Sequence, residues 1–119
     1  MDILTHNDGL AFEDCAKGTS FKGEIDCEYD KLVDLFGEPM EGDGYKVDAE
    51  WYINATAVID GVEEIVYFTI YNWKNGVAYN GDPRFNSDSK YVSDITNWHI
   101  GAKVGQSHIV HSILNKILI

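Results

Sequence analysis

The chain reads as an α+β domain: an antiparallel sheet of about four strands with two helices on one face, in the order β-α-β-β-β-α. Three observations predict it. Apolar residues recur with the two-residue period of a sheet around residues 21–27, 45–59, 65–73 and 95–101. They recur with the helical period at 29–36 and 109–117. Asp60-Gly61 and Lys74-Asn75-Gly76 supply the tight reversals that join antiparallel neighbours.

Taken in order, residues 1–18 contain Gly9 and Gly18 and show little periodicity. They are expected as a loosely ordered N-terminal arm that docks Leu10 and Phe12, ahead of a single domain over residues 19–119. Phe21, Gly23, Ile25 and Cys27 alternate with Lys22, Glu24 and Asp26, which predicts a half-buried strand. Tyr29, Leu32, Val33 and Phe36 then fall at i, i+3, i+4 and i+7, one apolar stripe of a short helix. Asp26 or Cys27 stands near its N-cap, Gly37 supplies a left-handed end and Pro39 prevents continuation.

Gly42-Asp43-Gly44 turns the chain into a long strand, Tyr45 to Ile59, with Trp51, Ile53, Ala55, Ala57 and Ile59 on one face. After Asp60-Gly61, residues Ile65 to Trp73 return with both faces apolar or aromatic, the pattern of a central strand. Residues 80–94 form a polar connection of a length that tends to be functional or mobile. Ile95 to Gly101 alternates as the last strand. Ile109, Val110, Ile113, Leu114 and Ile117 make the stripe of a C-terminal helix, with His108, His111, Ser112 and Asn115 on its wet side.

The charge is lopsided. Residues 1–64 hold seventeen Asp or Glu against four Lys, a balance of −13; the remainder carries +2, for a total of −11. Carboxylates repel when a chain compacts, so such a load points to an acidic surface with a partner, or to one kept only for solubility. It argues against direct binding to nucleic acid or anionic membranes. The start lacks the basic and apolar regions of a secretory signal, and no apolar run approaches the ~20 residues of a membrane helix. A cytoplasmic protein is therefore expected, with Cys15 and Cys27 as reduced thiols and the Asn54-Ala55-Thr56 sequon unused.

No signature of catalysis or of a cofactor emerges. His99, His108 and His111 lack the spacing of a zinc site and read as surface histidines, with His99 facing the other way at the sheet surface. Cys15 and Cys27 lie among acids (Glu13, Asp14; Asp26, Glu28), which disfavours a thiolate nucleophile. Gly42-Asp43-Gly44 lacks the helix and lysine of a phosphate loop, and Glu41 to Glu50 has Lys46 where a calcium loop needs glycine. The aromatics are interleaved with too few cations for single-strand stacking, and Lys74 with Arg84 makes no groove. Most are expected in the core; Tyr52, Tyr71 or Tyr79 on the outer sheet face would suit interface anchors.

The strings Tyr29-Asp-Lys-Leu-Val-Asp-Leu-Phe-Gly-Glu-Pro39, Asp43-Gly-Tyr-Lys-Val-Asp-Ala-Glu-Trp51, Thr69-Ile-Tyr-Asn-Trp-Lys74 and Trp98-His-Ile-Gly101 resemble a group of small tailed-bacteriophage proteins, mostly of unassigned function. The resemblance covers about residues 19–115 and carries no catalytic residues with it. It implies a context in which small accessory proteins often inhibit host or defence machinery.

The expected function is that of a non-enzymatic binding protein, phage-encoded, that inhibits a host or antiviral-defence complex by occupying its basic nucleic-acid groove, as an anti-CRISPR protein would. Its partner-binding residues would be Glu28, Asp30, Asp34, Asp43, Asp48, Glu50, Glu63 and Glu64. Asp30 and Asp34 lie one helical turn apart, about 6 Å, and Asp48 and Glu50 share a strand face at about 6.6 Å, spacings comparable to backbone phosphates. The alternative is a small module, monomer or homodimer, that self-associates through its sheet edge or aromatic face.

Overall fold

The computed structural model describes residues 1–118. In chain order its elements are β1 (Asp2–Thr5), α1 (Phe12–Cys15), β2 (Ser20–Asp26), α2 (Tyr29–Phe36), β3 (Met40–Glu41), β4 (Ala49–Ile59), β5 (Val62–Tyr71), α3 (Val77–Asn80), β6 (Asn97–Ala102) and α4 (Ser107–Ile117). Single 3-10 turns occupy His6–Asp8 and Val92–Asp94. All pairings in the sheet are antiparallel, in the order β1-β4-β5-β6-β2, with β3 also paired to β4. The α+β class with an antiparallel sheet is as the sequence predicts. The counts are not: six strands and four helices replace four and two.

The additional elements are too short to carry a period. Residues 2–5, expected outside the domain, form the edge strand β1, with Asp2 opposite Thr56 and Thr5 opposite Ile53. Of the two residues expected to dock, Leu10 is half-buried, but the deepest anchor is Cys15. Phe12 is largely exposed, whereas the Cys15 side chain is buried against the backbone of β4 and β5. The long strand begins at Ala49 rather than Tyr45, because Asp43 turns the chain ahead of it. Its Oδ1 accepts the N–H groups of Tyr45, Lys46 and Val47 at 2.8–3.0 Å.

The core lies on one sheet face. Trp51, Ile53, Ala55, Val66, Phe68, Ile70, Trp98 and Ile100 pack there beneath Leu32 and Phe36 of α2 and Val110, Ile113 and Leu114 of α4. Each fully buried side chain of this size contributes roughly 1.5–3 kcal/mol. Trp51 and Trp98 meet edge to face at 5.3 Å, and their indole N–H groups pin both flanks of α2. Trp51 Nε1 donates to the Gly37 carbonyl (2.8 Å) and Trp98 Nε1 to the Cys27 carbonyl (2.9 Å). The apolar stripe of α2 faces inward as its spacing predicts, with Glu28 rather than Asp26 or Cys27 at the N-cap and Gly37 at φ 80° closing it.

One irregularity decides what the opposite face displays. Phe21 pairs with Gly101 and Glu24 with His99, so Lys22 and Gly23 together oppose Ile100 in a β-bulge. Gly23 takes φ 122°, which a residue with a Cβ resists. Beyond the bulge the pleat inverts. Phe21 therefore emerges on the outer face instead of sharing the inner one with Ile25.

Candidate binding surface

The outer face carries a continuous run of aromatic rings. His99 of β6 lies between Phe21 of β2, at 4.6 Å, and Trp73 just beyond β5, at 6.2 Å. Tyr71 closes the group at 5.6 Å from His99 and 6.3 Å from Trp73. Glu24, beside the row, pairs with His99 Nε2 at 3.1 Å. The turn around Asp43 then brings Tyr45 and Lys46 to the far end, where Tyr45 stacks on Tyr79 at 5.6 Å. Lys46 Nζ sits over the Tyr45 and Trp73 rings and Lys74 Nζ over Trp73 and Tyr79, each at 5.2–5.7 Å. Phe21, Tyr45, Trp73 and Tyr79 remain 53, 59, 39 and 42% exposed, so these rings are surface and not a second core.

A polar scaffold fixes that far end. The buried Asn72 accepts the N–H groups of Asp48 (2.7 Å) and Ala49 (3.0 Å) through Oδ1. Its Nδ2 donates to Asp48 Oδ2 (2.8 Å) and Asn75 Oδ1 (3.0 Å). Asp48 Oδ1 in turn accepts from the Ala78 N–H, which fastens α3 and with it Tyr79. Gly76 packs so closely on the Asp48 carboxylate that a Cβ would collide with it.

The eight acidic residues expected to bind a partner are not brought into one row. Glu28, Asp30 and Asp34 are exposed along α2, on the helical side of the sheet. Glu63 and Glu64 lie at the tip of the β4–β5 hairpin. Asp43 and Glu50 are near enough that the Asp43 charge raises the Glu50 carboxyl, after the larger effect of burial. Asp43 itself is held low by the backbone N–H groups of Tyr45, Val47 and Lys46. Asp48, expected to share an outward strand face with Glu50, is corrected: it precedes β4 and its carboxylate is engaged by Asn72 and Ala78. None of the eight forms an ion pair among the described residues; those pairs are Lys17–Glu13, Arg84–Asp82 and His99–Glu24.

Burial pushes the Cys15 thiol up to about 11, against the hydrogen bonds to Ile53 and Phe68. Burial also raises Cys27, more than neighbouring Lys31 lowers it. Cys27 lines a depression of about 550 Å³ with Asp26, Glu28, Lys31, Thr96 and Leu118, a setting without histidine. His111, expected on the wet side of α4, is half-buried, with Nε2 2.9 Å from the Lys22 carbonyl across the bulge. Among the described residues no group of three or more His, Cys, Asp or Glu is placed to hold a metal ion.

Of the three tyrosines singled out from the sequence, Tyr79 is exposed in the row, while Tyr52 and Tyr71 are half-buried. Phe21, Tyr45, Lys46 and Trp73 were missed. A glycine within a strand beside a lysine, Gly23 after Lys22, was the available signal for the inversion that exposes Phe21. Lys46, not Arg84, accompanies Lys74, since Arg84 is taken by Asp82 at 2.6 Å. Comparison with protein-family models, with curated proteins and with solved structures found no match.

Proposed function

We propose that the chain is a non-enzymatic binding protein that meets a basic protein surface, steered there by its net charge and held by the ring row of its outer sheet face. The observation that carries this reading is the row itself: large rings left in solvent on one face, with almost all acids outside ion pairs among the described residues. Exposed Trp and Tyr supply most of the residence time at interfaces, while unpaired charge raises the encounter rate. A nucleic-acid groove of a host or antiviral-defence complex, lined with Lys and Arg, is the partner chemistry that a charge of −11 favours.

Affinity capture from a host-cell lysate at low and high salt tests it, with the bound protein identified by mass spectrometry. Trp73→Ala is expected to weaken the captured complex roughly thirtyfold or more, chiefly in dissociation. Asp30→Lys with Asp34→Lys is expected to slow association about tenfold at low salt and little at high salt. Capture insensitive to both changes, or a salt-independent homodimer in the ultracentrifuge as the only complex, refutes the reading.

A further inference from the structure

The β4–β5 hairpin outruns its neighbours. β5 begins at Val62, yet β6 pairs with it only from Phe68 to Tyr71. The hairpin turns on Asp60 and Gly61, with φ 51° and 81°. Two positive φ values mark the two-residue reversal in which the flanking pair, here Ile59 and Val62, is hydrogen-bonded. Alternation along an antiparallel ladder then turns the backbone N–H and C=O of Val62, Glu64 and Val66 toward β4 and those of Glu63 and Ile65 away from it. Among the described residues no strand lies on that side before Phe68, and no backbone bond outside the ladders reaches these groups.

The side chains along this open edge run apolar, acidic, acidic, apolar: Val62, Glu63, Glu64, Ile65. Val62 and Ile65 are 57 and 54% exposed, and neither glutamate is ion-paired. A strand edge with unused donors and acceptors is a template for another strand. A second copy is a poor occupant, because Glu63 and Glu64 of each copy would face those of the other, and like charges across a ladder destabilise it.

We propose that this edge adds an extended segment of a partner protein with the pattern apolar-basic-basic-apolar, its backbone bonding Glu63 and Ile65 and its two cations facing Glu63 and Glu64. The site is separate from the outer ring row and does not depend on it. The bland counterpart is that the glutamates only guard an edge against self-association.

Hydrogen exchange on the whole protein separates the two, with the synthetic peptides Thr-Val-Lys-Lys-Val-Thr and Thr-Val-Glu-Glu-Val-Thr as probes. The basic peptide at saturation is expected to slow exchange of the Glu63 and Ile65 amides roughly tenfold or more, and the acidic one to leave them unchanged. Glu63→Lys with Glu64→Lys, checked for native circular dichroism, is expected to exchange the preference; Trp73→Ala is expected to leave it intact. Equal response to both peptides, no protection by either, or self-association of Glu63→Gln with Glu64→Gln without any peptide response overturns the proposal.

Discussion

Replacing Asn72 by alanine removes the hinge between the sheet and the aromatic corner, and its cost can be worked from the contacts. Asn72 is fully buried and makes four hydrogen bonds, two to backbone N–H groups and two from its own amide. The Ala49 N–H it satisfies is buried and would be left without a partner, at about 1–3 kcal/mol. The half-buried Asp48 N–H and carboxylate and the Asn75 amide regain some water, at about 1 kcal/mol or less each. The total is about 1–6 kcal/mol, set against the roughly 6–18 kcal/mol that a chain of this length commands. At the usual unfolding entropy per residue this lowers Tm by about 4–24 °C. Urea unfolding followed by tryptophan fluorescence measures it, with the m-value held constant as the check on two-state behaviour. Asn72→Asp is the companion variant: it keeps both N–H partners but sets a second carboxylate against Asp48, so its loss should shrink as pH falls through the carboxylate range. A loss under about 1 kcal/mol for Asn72→Ala would refute the view that this side chain organises the corner.

Two further predictions concern titrating groups. Glu50 has its carboxyl raised by burial and then by Asp43, so the folded state favours the protonated form and loses stability as pH rises through the Glu50 range. Glu50→Gln should therefore raise Tm at neutral pH, the gain vanishing near pH 4; a constant difference across that interval would contradict the assignment. Cys15, pushed by burial from 9.0 to about 11, stays a thiol in the fold while the unfolded chain ionises, so stability should decline as pH rises from 9 toward 11. The same burial predicts that iodoacetamide labels Cys27 well before Cys15 in the native protein, with peptide mass mapping as the readout.

The sequence made the long-range periodic parts of this fold legible and concealed the short ones. Tyr29, Leu32, Val33 and Phe36 specify α2 because four apolar residues on one stripe admit no competing period, and Asp60-Gly61 specifies its hairpin because few other pairs accept two positive φ values. The strand at 45–48 was misread because alternation is blind to a carboxylate that recruits the backbone, as Asp43 does. The face of Phe21 was misread for a related reason: a single bulge inverts the pleat, and period-two reasoning assumes none. The aromatic row depends on both features, so its members were visible as residues but not as neighbours.

Sequence separation in the sheet has a consequence for how the chain acquires this shape. Among the described residues the longest sequence-local pairing is β4 with β5; β1 must wait for residues 53–56, and β2 cannot close until residues 97–102 exist. Early synthesis therefore yields two orphan segments and a late zipper, and non-local pairing of this kind slows folding. Cys15, whose sulfur meets the backbone of Ile53 and Phe68, can seat only after that central ribbon is complete. Access of a thiol reagent to this one atom thus reports when residues 12–15 have settled on the finished ribbon.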